Sequence, residues 1–78
     1  MTPKDLSYYL NLRYRIELLP EHDGSWTALI PDFPGCVGAG DTIDEALAML
    51  DDARIGWLTS RLQHGDLIAE PSVVAAPV

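Results

Sequence analysis

Cysteine occurs once, at Cys36, so no internal disulfide can form. With His22 and His64 as the only histidines, no spaced Cys/His set exists to hold a structural metal. Both absences argue against a small secreted domain stapled by disulfides. Cations are also scarce, with 5 Lys and Arg against 12 Asp and Glu and a net charge of -7. Affinity for a phosphate backbone comes from Lys and Arg releasing condensed counterions, so this balance disfavours nucleic acid and favours a basic partner. No uncharged apolar run approaches the roughly 20 residues that a membrane span needs. Met1 to Leu10 lacks a basic stretch leading into a long apolar one. The address expected from these absences is cytoplasmic, with neither membrane nor direct nucleic-acid contact.

What is present is an ordinary globular composition, 47% hydrophobic and 22% charged, free of repeats and low-complexity tracts. Seventy-eight residues suffice for one domain. A chain of this size buries only about 60% of its unfolded surface, so a partner or a second copy would help it.

Thr2-Pro3-Lys4-Asp5 offers an N-cap, a proline suited to the first helical position and an acid three residues after the cap, with Leu6, Tyr9 and Leu10 following at helical spacing. A short opening helix is expected there. From Arg13 to Leu19 the period becomes two: Tyr14, Ile16 and Leu18 on a buried face, Arg15 and Glu17 on the other. Pro20-Glu21-His22-Asp23-Gly24 is turn chemistry, after which Trp26, Ala28 and Ile30 alternate with Thr27 and Leu29, giving an antiparallel hairpin. Phe33-Pro34-Gly35-Cys36 fits a type II turn leading into a short glycine-rich strand from Cys36 to Ala39.

Thr42-Ile43-Asp44-Glu45 is a capping box, in which the Thr42 hydroxyl accepts from the Glu45 N–H and the Glu45 carboxylate reaches back to the Thr42 N–H. Ile43, Ala46, Leu47, Leu50, Ala53, Trp57, Leu58 and Leu62 form one apolar stripe, and Gly65 ends it, predicting a helix from Ile43 to His64. Asp66 to Ala69 would add a fourth short strand, and residues 72–78 would be a flexible tail beyond a single domain of residues 1–71. The fold class is α+β: a three-stranded antiparallel meander, one long helix on a face, a short N-terminal helix and a short fourth strand.

The order of these elements, with Pro31-Asp32-Phe33-Pro34-Gly35-Cys36, Gly40-Asp41-Thr42 and the helical start Asp44-Glu45-Ala46-Leu47, resembles the HicB antitoxin family. Asp5-Leu6-Ser7-Tyr8-Tyr9-Leu10 and Tyr14-Arg15-Ile16 are similar to a stand-alone branch of it. The likeness runs from about Asp5 to Pro71. It implies a partly degraded ribonuclease-H-like fold, symmetric oligomers, and neutralisation of a small basic ribonuclease toxin of the HicA type. Many members add a C-terminal DNA-binding module, which this chain is expected to lack. Ala69 stands where the family often has a proline.

On that resemblance the expected function is an antitoxin module with neither catalysis nor cofactor. The alternatives are an orphan homo-oligomeric scaffold and, remotely, a metal-dependent nuclease. The expected partner surface is the acidic helix face of Asp44, Glu45, Asp51 and Asp52, with Ile55 on the side away from the apolar stripe. The proline-held turn carrying Asp32 and Phe33 is the second candidate. Trp26 and Trp57 fall on the apolar period and read as core, as does Cys36. A homodimer or tetramer is expected, since the small sheet leaves edges and the glycine-rich third strand carries no guarding lysine.

A two-metal nuclease needs carboxylates converging from adjacent strands, yet only Glu17 lies within a strand. We expect no magnesium- or manganese-dependent cleavage of RNA or DNA. A purified activity abolished both by chelator and by Glu17→Ala would overturn that expectation.

Overall fold

The computed structural model describes residues 3–71. The chain runs α1 (Leu6–Leu10), β1 (Glu17–Pro20), β2 (Trp26–Leu29), β3 (Val37–Gly40) and α2 (Ile43–His64). The three strands form an antiparallel meander in the order β1-β2-β3. With the long helix and the short N-terminal one, this is the expected α+β arrangement.

Helix α1 begins later than the Thr2-Pro3 reading. Asp5 is the cap, its carboxylate accepting from the Tyr8 N–H at 3.0 Å, and Pro3 and Lys4 stay outside the helix. An aspartate so placed satisfies an orphan amide of the first turn as well as a threonine does, and nearer to the apolar residues that need the helix.

Strand β1 also starts later than Arg13. The pairing of Glu17 with Leu29 extrapolates to Arg15 opposite Pro31, which has no N–H to give and opens a turn. Residues 13–16 therefore run on without a strand partner. The hairpin turn is held by Asp23, whose carboxylate accepts from both the backbone N–H and the hydroxyl of Ser25, and these bonds lower its pKa. The turn after β2 is as expected, with Gly35 at φ 85° and the Cys36 N–H donating to the Phe33 carbonyl at 2.9 Å.

Helix α2 occupies the residues expected of it and ends on Gly65 in the left-handed conformation. Its cap differs in one bond. The Thr42 hydroxyl accepts from the Glu45 N–H at 3.1 Å, but the Glu45 carboxylate passes the cap residue and accepts from the Asp41 N–H at 2.9 Å.

The helix lies along β3 and β2 on one face of the sheet. The core between them is Ala28, Ile30, Phe33, Cys36, Ala46, Leu50 and Leu58, closed at one end by Tyr9 and Tyr14. Since α2 does not reach over β1, Ile16 and Leu18 remain 44% and 37% exposed, and of the face expected to be buried only Tyr14 is. Close approach is allowed by Gly38, where a β-carbon would run into the backbone of Leu50 and Ala46. No fourth strand is present over Asp66–Ala69. That stretch is tethered instead by side chains, the Tyr14 hydroxyl donating to the Ala69 carbonyl at 2.7 Å.

Two glycine substitutions should therefore move stability in opposite directions, read as urea midpoints. Gly38→Ala forces α2 off the sheet and costs about 1–3 kcal/mol, as overpacking does. Gly56→Ala, in open space on the helix, adds about 0.4–1 kcal/mol by restricting the unfolded chain.

Candidate partner-binding surface

The face of α2 turned from the sheet is built by helical period alone. At 100° per residue, Asp44, Asp51, Ile55, Ala48, Thr59, Asp52 and Glu45 fall within an arc of about 120°, opposite Ala46, Leu50 and Ala53. All but Thr59 are exposed. Ile55, 43% exposed, sits inside the acidic arc. Two of the acids have work within the chain: Glu45 holds the Asp41 amide, and Asp51 pairs with Arg54 at 3.0 Å. Asp44 and Asp52 form no ion pair among the described residues. The arc therefore presents a net negative charge around an apolar centre.

The second candidate, the turn after β2, is rigid for a reason its sequence does not declare. The Phe33 N–H donates to the Ile30 carbonyl, and the indole N–H of Trp57 donates to the Pro34 carbonyl at 2.9 Å, fastening the turn to α2. Phe33 itself is corrected as a contact residue. Its ring is 1% exposed, stacked on Trp57 at 4.3 Å and tilted against Tyr14 at 4.3 Å, because it fills the space where the turn crosses the end of the core. What the turn offers outward is Pro34, Gly35 and the half-buried Asp32. Trp57 is partly buried against this core, with the Arg61 guanidinium 4.5 Å from its ring.

Cys36 is buried, and burial pushes its thiol up, with Arg54 acting weakly in the other direction. The His64 Nδ1 lies 2.7 Å from the Ser60 carbonyl, one turn back on its own helix. Glu17 projects from the sheet face opposite α2, so it cannot meet Asp41 or Asp44. Among the described residues no three His, Cys, Asp or Glu side chains come together to hold a metal, and no helix is long and apolar enough to cross a membrane.

A cluster that reasoning from the sequence missed ties the two ends together. Glu70 accepts from the Lys4 Nζ at 2.8 Å and from the Tyr8 hydroxyl at 2.6 Å, alongside the Tyr14 to Ala69 bond. No local signal could have found it, because its partners lie more than fifty residues apart. Arg54 was missed as well. Its Nε is buried without a hydrogen bond while its terminal nitrogen holds Asp51.

The chain is thus an α+β domain that carries four of its 12 acidic residues around an apolar spot on one long helix. Residues 14–78 match the model of the HicB-like antitoxins of bacterial toxin-antitoxin systems, and the chain belongs to that family. It is 42% identical over 64 residues to Antitoxin HicB 1 of Photorhabdus laumondii subsp. laumondii, covering 82% of this chain and 41% of that protein. To Antitoxin HicB 2 of the same organism it is 44% identical over 46 residues, 58% of this chain and 32% of the relative. The chain spans less than half the length of either curated relative.

The terminal clasp has a pH signature. The hydrogen bonds from Lys4, then Tyr8, hold the Glu70 carboxyl below its ordinary value of 4.5. Burial, followed by the charge of Glu70, pushes Tyr14 up to about 12 from 10.0. A lowered acid stabilises the fold above its unfolded pKa and loses that contribution as pH falls. A raised tyrosine contributes fully below its unfolded value and loses it as pH rises. Stability should therefore fall below pH 4.5 and again between pH 10 and about 12. Denaturant titrations should show Glu70→Gln flattening the acid limb and Tyr14→Phe the alkaline one. Unchanged limbs would mean that the clasp is not formed in solution.

Proposed function

We propose that this domain is an antitoxin module that masks a small basic ribonuclease toxin of the HicA type and catalyses nothing itself. The observation that carries the reading is the acidic arc around Ile55, in a chain of the HicB-like antitoxin family. Its acids draw a basic protein to the helix at long range, and the apolar centre supplies area that stays buried once contact is made. The turn Asp32 to Gly35, fastened by Trp57, adds a contact that needs little further ordering on binding.

The division of labour is testable on whatever protein the adjacent reading frame encodes, co-expressed and purified with this chain. Its association rate should fall steeply as salt rises, since exposed charges more than about 8 Å apart are screened at physiological ionic strength. Asp44→Asn with Asp52→Asn should slow association roughly tenfold at low salt and leave dissociation nearly unchanged. Ile55→Ala should do the reverse and speed dissociation. A rate that is flat in salt, or that ignores both acids, overturns the role given to the arc. The lack of any complex with the neighbouring protein would favour the orphan scaffold, the reading in which the chain binds copies of itself.

A further inference from the structure

Three aromatic rings stand in a row at one end of the core. The buried Phe33 lies between Trp57, stacked on it at 4.3 Å, and Tyr14, tilted against it at 4.3 Å. Phe33 is the residue by which the turn from Asp32 to Gly35 is rooted in the core, so the turn is as firm as this slot is closed.

The two walls of the slot are held differently. Trp57 belongs to α2, whose backbone hydrogen bonds fix it, and its indole N–H donates to the Pro34 carbonyl at 2.9 Å. Tyr14 belongs to residues 13–16, which pair with no strand. It is nevertheless buried, its ring on Phe33 and its hydroxyl donating to the Ala69 carbonyl at 2.7 Å. Ala69 in turn lies in a strap, residues 66–70, that leaves α2 at Gly65 and reaches α1 without forming helix or strand. The strap touches both walls, since the Arg61 guanidinium stands 4.5 Å from the Trp57 ring and 4.0 Å from the Asp66 carboxylate. Its remaining fastenings are Ile68 against the core and Glu70 on Lys4 and Tyr8, while Leu67 is 96% exposed. A segment with so few contacts opens locally at far less cost than the fold as a whole.

We propose that the strap braces the turn. Docked, it holds Tyr14 as the closed wall of the Phe33 slot and keeps the turn from Asp32 to Gly35 in one conformation. Released, it frees that wall and the turn loosens. Contacts made by the chain beyond Glu70 thereby set how ready the turn is to bind, since a preorganised loop needs less ordering on contact. Occupation of the turn tightens the strap in return, because coupling between two sites is reciprocal. The bearing on partner binding rests on the function proposed above, whereas the coupling belongs to the chain alone and is measured without a partner.

Amide hydrogen exchange, read residue by residue by NMR, tests the coupling. The reporters are the Phe33 amide, which donates to the Ile30 carbonyl, and the Cys36 amide, which donates to the Phe33 carbonyl. The control is the Gly24 amide, which donates to the Glu21 carbonyl in the hairpin turn at the other end of β2. Tyr14→Phe keeps the ring and removes its bond to the strap. Glu70→Ala leaves Tyr14 untouched and removes the last fastening of the strap. Each should speed exchange at Phe33 and Cys36 by roughly two- to tenfold, the worth of one net hydrogen bond, and leave Gly24 unchanged. An equal rise at Gly24 would mean a general loosening and overturns the proposal. Exchange at the turn that ignores Glu70→Ala overturns it too, since Tyr14 would then be a local contact and the strap a passenger.

Discussion

The contact on which the architecture depends is that of α2 with the backbone of β3. At Gly38 there is no room for even one β-carbon between strand and helix, and at Gly40 the helix start at Glu45 and Ala46 comes as near. Helix and sheet therefore meet backbone to backbone from Glu45 to Leu50, while farther along the helix Leu58 is buried with Phe33 in the core. That close approach sets the rest. It places the helix over the third strand instead of the middle one, leaves β1 without a roof, and brings Trp57 to where its indole can grip the turn after β2. The helix face carrying the acids points away from the sheet because the opposite face is committed to the glycines.

Most of this was legible in short-range pattern. The capped helix Ile43 to His64, the Asp-Gly hairpin and the turn through Gly35 each rest on chemistry within a few residues, and each stands where its sequence places it. The readings that failed depended on what lies across the fold. The alternation Tyr14, Ile16, Leu18 is a true strand pattern, yet whether it is covered depends on how far the helix sits from β1, and nothing local encodes that. The tether of residues 69–70 replaced a fourth strand because two tyrosines and a lysine from the start of the chain reach it first. At the candidate site the acids and Ile55 could be placed by helical period. Phe33 could not, because a proline-flanked turn does not reveal that its aromatic folds inward.

Charge is segregated more sharply than the net value of -7 suggests. The long helix carries unpaired acids on its outer side, while the sheet face turned from it, with Glu17, Leu29 and Val37 in one row and Leu19, Thr27 and Ala39 in the next, holds a single carboxylate with an arginine beside it. Like charges destabilise a compact chain by self-repulsion. Spreading them along a helix of 22 residues, with Asp44 and Glu45 at its positive end, turns part of that cost into a favourable interaction with the helix dipole.

The clasp of Lys4, Tyr8 and Glu70 also has a geometric meaning. It holds Lys4 and Glu70, near the two ends of the described residues, in direct contact. A stretch of chain closed in this way behaves as a loop with a single doorway. The chain before Lys4 and the chain after Glu70 therefore leave the described residues from neighbouring points. The curated relatives extend well beyond the stretch they share with this chain, and such a doorway brings both of its flanks to one place.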